Sequence, residues 1–126
     1  MFDEKKQIMY WKTTALDNLE TAEILFEKRK FRECLFFCHL TIEKLLKAHF
    51  VKAQKDFAPK VHELLYLLKK TNLNLGKSEK EFLGTINDFN LEGRYPENYL
   101  EVPSEKETED LLLKTKEMVQ WLVNQL

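Results

Sequence analysis

Three charged residues lie inside an otherwise apolar stretch, HLTIEKLLKAHF at residues 39–50, and are the first candidates for chemistry. The apolar spacing predicts a helix with Glu43, Lys44 and Lys47 near its centre. One interpretation is a helix-surface ion pair worth about 0.3–0.5 kcal/mol, because Glu43 precedes Lys47 by four residues. The other is that Lys44 and Lys47 flank a groove and bind a phosphate. Spacing alone leaves both interpretations open.

The segment GRYPENY, residues 93–99, is a second candidate. Arginine can bind a phosphate through two hydrogen bonds, and tyrosine can stack on a base. Arg94, Tyr95 and Tyr99 therefore form a candidate nucleotide contact. In the alternative interpretation, Tyr95 and Pro96 hold this segment against the rest of the protein while Arg94 pairs with a glutamate.

Metal and covalent catalysis have little support in the sequence. Of the three histidines, only His39 has a carboxylate, Glu43, at helical spacing, and one such pair does not make a metal site. No serine is flanked by glycines, and no glycine-rich phosphate loop occurs. Cys34 and Cys38 are four residues apart, a poor spacing for a disulfide, and are interpreted as small core residues. We expect neither a metal nor a cofactor.

The elements that must position these residues are helices. Five stretches carry the three-and-four spacing of an amphipathic helix: residues 3–28, 31–53, 61–71, 78–90 and 104–124. Asp3 is a candidate N-cap, and the S-x-x-E patterns beginning at Ser78 and Ser104 predict capping boxes at the last two helices. The second helix is apolar almost all round, which is typical of a central helix or of one that meets another subunit.

Length and composition favour one all-helical domain spanning residues 1–126, an up-and-down bundle of four to five helices. The chain holds only 3 Gly and 3 Pro, so few residues interrupt helices. Residues 28–80 hold 13 Lys or Arg and 5 Asp or Glu, a balance of +8 that either faces an anion or neighbours acidic helices. The charged N-terminal residues do not resemble a signal peptide, and no apolar run reaches membrane-span length. A cytoplasmic location is expected.

Three motifs, in this order along the chain, resemble the HEPN domain family, whose name stands for higher eukaryotes and prokaryotes nucleotide-binding. They are EKLLKA at residues 43–48, VHELLYLL with His62, and RYP at residues 94–96, and the resemblance covers about residues 11–125. It implies a four- to five-helix bundle, usually a homodimer. Small members are often encoded beside a minimal nucleotidyltransferase, as half of a two-component or toxin–antitoxin module.

The resemblance also defines the expected site and its alternatives. The candidate nucleotide-binding residues are Glu43, Lys44, Lys47, His62, Arg94, Tyr95 and Tyr99. His62 has a structural alternative, capping the third helix. Some HEPN proteins are metal-independent ribonucleases that use an arginine and a histidine four to six residues apart, but no histidine follows Arg94. A nucleotide-binding module is therefore favoured over a ribonuclease toxin that pairs Arg94 with a tyrosine or a distant histidine, and over a purely structural dimerisation domain.

Overall fold

A computed structural model describes residues 1–91 and 101–126, and these residues form helices without strands. The helices are α1 (Glu4–Glu27), α2 (Phe31–Gln54), α3 (Leu64–Lys69), α4 (Lys77–Asn87) and α5 (Glu105–Asn124). The predicted all-α bundle is thus confirmed. No helix in the described ranges has the length and apolar character that crossing a membrane requires.

Helices α1 and α2 form an antiparallel hairpin. Their three-residue connection contains Arg29 in a left-handed conformation (φ 61°), which ends α1 sharply. Phe26 packs against Phe31 beside this turn, with ring centroids 5.7 Å apart. At the other end of the hairpin, Lys55 pairs with Glu4 at 2.9 Å. The two helices therefore lie side by side over their whole length.

Helix α2 is the central helix, as its sequence predicted, because it contacts α1, α3, α4 and α5. Its apolar stripe is buried in full: Phe31, Cys34, Leu35, Cys38, Ile42, Leu45 and Ala48. Burying a large apolar side chain stabilises a fold by about 1.5–3 kcal/mol, so this stripe is a major part of the core.

Helix α5 runs beside α2 in the same direction. His49 Nε2 donates to the Leu122 carbonyl at 2.8 Å, and Lys52 Nζ donates to the Gln125 carbonyl at 2.8 Å.

The chain between α2 and α3 returns along α2 before α3 begins. His39 Nε2, midway along α2, lies 3.1 Å from the His62 carbonyl oxygen. At the far end of α2, Gln54 Nε2 donates to the Lys70 carbonyl oxygen at 2.8 Å. Residues 55–63 thus carry the chain back to the middle of α2, and α3 then follows α2 in the same direction. This return segment is what brings His62 to the centre of the bundle.

The predicted ends of α1, α2 and α5 agree with the structure to within one residue, whereas those of α3 and α4 are wrong. Asp3 caps α1 by accepting the Lys6 N–H, and Ser104 caps α5 by accepting the Glu107 N–H, both at 3.1 Å. The third helix is shorter than residues 61–71, since Glu63 caps it and residues 61–63 belong to the return segment. The predicted capping box of α4 is shifted by two residues.

The actual N-cap of α4 is Gly76, so the third helical position falls on Glu79 and not on Glu81. The Glu79 carboxylate accepts the Gly76 N–H at 2.8 Å and the Ser78 hydroxyl at 2.8 Å. At its other end, α4 returns to the middle of the bundle, where the Asn87 side-chain oxygen accepts the Leu64 N–H at 3.0 Å. Helix α4 therefore runs opposite to α3 and anchors its first turn.

Candidate functional site

A buried ionic network surrounds the Glu43 carboxylate in the middle of α2. Lys47 Nζ donates to Glu43 Oε2 at 3.0 Å, and His62 Nδ1 lies 3.1 Å from the same oxygen. An ionised carboxylate only accepts hydrogen bonds, so His62 Nδ1 carries a proton and donates it. Glu43 is 3% exposed and Lys47 is 5% exposed. The interpretation of this pair as a solvated helix-surface ion pair is therefore wrong.

Lys47 is enclosed by a contact from α1. Its ammonium lies 5.2 Å from the centroid of the Trp11 ring, within the range of a cation–π interaction. The antiparallel α1–α2 hairpin sets this contact, because it places Trp11 opposite Lys47. The Lys47 charge is thus satisfied inside the bundle by a carboxylate and an aromatic face.

His39 lies one turn before Glu43 and completes the buried side of the network. It is 0% exposed, and its Nε2 donates to the His62 carbonyl. Its Nδ1 consequently presents a lone pair, which lies 3.8 Å from Glu43 Oε1 and has no hydrogen-bond partner among the described residues. Burial lowers the pKa of His39, and the nearby Glu43 charge and the His62 carbonyl offset part of that decrease. His39 therefore holds the return segment against α2 as a neutral donor.

His62 carries the network to solvent, and Lys44 follows Glu43 directly along α2. The His62 side chain is 49% exposed. Within the described residues the ring bonds only Glu43, through Nδ1, so Nε2 is the ring nitrogen left for a ligand. Lys44 is half-buried, and burial lowers its pKa; the Glu43 charge raises it, the Lys47 charge lowers it, and the Asp17 charge on α1 raises it. An anion bound beside Lys44 would offset the cost of keeping its ammonium charged there.

The structure brings together the candidates that lie in the described residues. Lys47 and His62 both contact Glu43, and Lys44 is close enough for the charges of Glu43 and Lys47 to shift its pKa. Glu63, and not His62, caps α3. The remaining predicted site residues, which follow the fourth helix, lie outside the described residues: Arg94, Tyr95 and Tyr99.

Sequence reasoning missed Trp11 and considered His39 only as a metal-ligand partner of Glu43. His39 had a detectable signal, because His39, Glu43 and Lys47 recur every four residues and therefore share one face of α2. Trp11 had none, since its role depends on the pairing of two helices. Among the described residues, no three His, Cys, Asp or Glu side chains are arranged to hold a metal ion.

A separate cavity of about 530 Å³ lies between α4 and α5 and shares no residue with the network. Its apolar lining consists of Leu75, Phe82, Met118 and Trp121, and charged residues at its edge include Lys114 and Glu117. Its size is within the range of small-ligand pockets. It does not contain the residues that the sequence motifs mark.

Protonation of the two buried histidines is expected to destabilise the protein in mildly acidic solution. Burial lowers the pKa values of both His39 and His49 in the folded state, whereas in the unfolded chain histidine has a pKa of about 6.5. Their stabilising contribution is therefore complete above about pH 6.5 and is lost as the pH falls from there through their lowered folded pKa values. Urea unfolding followed by circular dichroism at several values from pH 7.5 to pH 5 would measure this loss.

The matched control is His49→Leu, which removes one of the two groups and keeps an apolar side chain in its place. The variant should lose about 1 kcal/mol at pH 7.5, because the hydrogen bond to the Leu122 carbonyl is gone. Its stability should also fall less steeply with decreasing pH than that of the wild type. Parallel pH profiles for the two proteins would contradict the assignment to His49.

Comparison with known proteins places this bundle in a family. The model of the HEPN domain family matches residues 8–126, nearly the whole chain. The chain therefore belongs to the HEPN family, as its motifs predicted.

Among solved structures, the chain is similar to the crystal structure of TT1696 from Thermus thermophilus, with a TM-score of 0.80 and 17% sequence identity. The similarity covers 95% of this chain and 98% of the other, and it supports the same fold. The search of curated proteins found no match.

Proposed function

We propose that this HEPN protein is a nucleotide-binding module that works as a homodimer with a minimal nucleotidyltransferase, in a two-component or toxin–antitoxin system. The proposed nucleotide site combines the exposed side of the Glu43 network, His62 and Lys44, with Arg94, Tyr95 and Tyr99. In this arrangement the cationic groups contact phosphate and the tyrosines stack on the base.

One observation carries the proposal: the buried Glu43 carboxylate fixes the ring of His62, whose side chain is 49% exposed. A fold gains little from burying an ion pair, because desolvating both charges offsets most of their attraction. Burying Glu43 and Lys47 is instead understandable if the pair holds a functional side chain in place. His62 is that side chain, since among the described residues that contact the pair it is the most exposed, with 49% of its side chain reaching solvent.

Calorimetric titration of the purified protein with AMP, ATP and adenosine tests the proposal. We expect AMP and ATP to bind and adenosine to bind at least tenfold more weakly, because it lacks the phosphate that the cationic groups would contact. Lys44→Met should weaken AMP binding without unfolding the protein. Failure of all three ligands to bind at millimolar concentration would refute the proposed nucleotide site.

The homodimer is supported by apolar surface on the central helix. Phe36, Phe37, Leu40 and Phe50 are only half-buried, so α2 has apolar area that one bundle does not cover. Sedimentation at micromolar concentration should therefore give about twice the chain mass of 15.1 kDa. A single species at the monomer mass would contradict the dimer.

RNA cleavage separates the proposed binding module from a ribonuclease. A metal-independent ribonuclease needs an acid–base group beside its arginine, and no histidine follows Arg94 in the sequence. We expect single-stranded RNA to remain intact during incubation with the protein and a chelator. Cleavage that Arg94→Ala abolishes would favour the ribonuclease alternative.

A further inference from the structure

We infer that His62 Nε2 is the group of this site that contacts the phosphate, that Glu43 and Lys47 position it, and that nucleotide binding therefore takes up a proton. This inference rests on the proposed nucleotide-binding function and assigns separate roles to residues that the motif places together. Lys47 is not a phosphate contact in this assignment, since it is 5% exposed and already paired.

The fixed tautomer of His62 is the basis of the inference. Glu43 accepts the Nδ1 proton, at 3.1 Å from Oε2 and 3.2 Å from Oε1. In the neutral ring, Nε2 therefore carries a lone pair and no proton. A phosphate oxygen also presents lone pairs, so the neutral ring cannot donate to it. Contact between Nε2 and phosphate requires a second proton, which makes the ring an imidazolium.

The surrounding charges support this proton uptake. The bound imidazolium would lie between the Glu43 carboxylate on one side and the phosphate on the other, so both neighbours stabilise its charge. Three ionisable side chains of the described residues lie at His62: Glu43 in direct contact, Lys47 bonded to Glu43, and His39 with Nε2 3.1 Å from the His62 carbonyl oxygen. Lys60 and Glu63 are its ionisable neighbours along the chain. Among the described residues, Glu43 is the one that the ring hydrogen-bonds.

Lys47 acts on His62 through Glu43. Its hydrogen bond to Oε2 and its position over the Trp11 ring hold the carboxylate where it meets His62. Replacing Glu43 with glutamine would release this control, because a glutamine side chain can donate as well as accept. His62 could then adopt the other tautomer, which donates from Nε2 without taking up a proton.

The test is calorimetric titration with AMP at pH 8 in buffers of different ionisation enthalpy, which measures the protons taken up on binding. At this pH a phosphate monoester is already a dianion, since its second pKa is about 6, so the ligand loses no further proton on binding. We expect uptake approaching one proton per bound AMP in the wild type. His62→Gln should remove the uptake and weaken binding at least tenfold.

Two further variants distinguish positioning from a merely structural role. Glu43→Gln should reduce the proton uptake in whatever fraction of the protein remains folded, as judged by circular dichroism. Lys60→Gln, which removes an exposed charge two residues from His62, should leave the uptake unchanged. AMP binding without proton uptake, or uptake that persists in His62→Gln, overturns the inference and leaves the proposed function standing. Absence of AMP binding to the wild type refutes both.

Discussion

Glu43→Ala is expected to destabilise the protein by about 3–5 kcal/mol, because it leaves the Lys47 ammonium buried without its carboxylate. The remaining contact of Lys47, with the Trp11 ring, is worth at most about 2 kcal/mol and cannot replace the ion pair. A domain is usually stable by only about 5–15 kcal/mol, so this loss is a large part of the total. Urea unfolding at pH 7.5, followed by circular dichroism, would measure it.

The double variant Glu43→Leu with Lys47→Met is the control. It removes both charges and keeps apolar side chains in the space, so it should be markedly more stable than Glu43→Ala. Lys47→Met alone should cost less than Glu43→Ala, since Glu43 keeps the hydrogen bond from His62. A double variant as unstable as Glu43→Ala would mean that packing, and not the uncompensated charge, is responsible.

The long helices could be predicted from the sequence because their stripes extend over many turns. The predicted second helix, residues 31–53, agrees with Phe31–Gln54, and the predicted last helix agrees with Glu105–Asn124. Over five or more turns, an error in one residue does not change which face is apolar. The family assignment likewise followed from short motifs in a fixed order and is confirmed by the match over residues 8–126.

The short elements could not be placed as well. Val61 continues the apolar spacing of α3 but belongs to the return segment, because an apolar residue can pack against α2 from an extended chain as well as from a helix. At α4, Ser78 and Glu81 match a capping box in sequence. Gly76 and Glu79 have the same spacing, and the chain uses them because Gly76 is where the extended backbone ends.

The site itself was predicted in part. Glu43 and Lys47 at spacing four look the same in sequence whether they are exposed or buried, so local spacing could not decide between these alternatives. Their burial depends on Trp11 from α1 and on the return segment that carries His62. Both are long-range features of the fold. The family motifs brought His62 into the candidate set, but only the structure shows that it contacts Glu43.

Arg94→Ala is expected to weaken AMP binding by roughly 1.5–3 kcal/mol, the scale of a hydrogen bond to a charged group. This corresponds to a rise in Kd of about 10- to 150-fold. The expectation follows from the RYP motif and from the ability of arginine to bind a phosphate through two hydrogen bonds. The melting temperature should barely change if Arg94 serves the ligand and not the bundle. Calorimetric titration and thermal unfolding of the same samples would measure both effects.

Arg29→Ala is a suitable control, since it removes the same charge from a known position. Arg29 is exposed, pairs with Glu105 and lies next to the start of α2, about 18 Å along the helix from Glu43. At that distance its charge is largely screened from the site in physiological salt, so Arg29→Ala should leave AMP binding nearly unchanged. If both variants weakened binding equally, the effect of Arg94 would be one of overall charge. If Arg94→Ala unfolded the protein or left binding intact, Arg94 would be a structural residue, and the phosphate would depend on His62 and Lys44 alone.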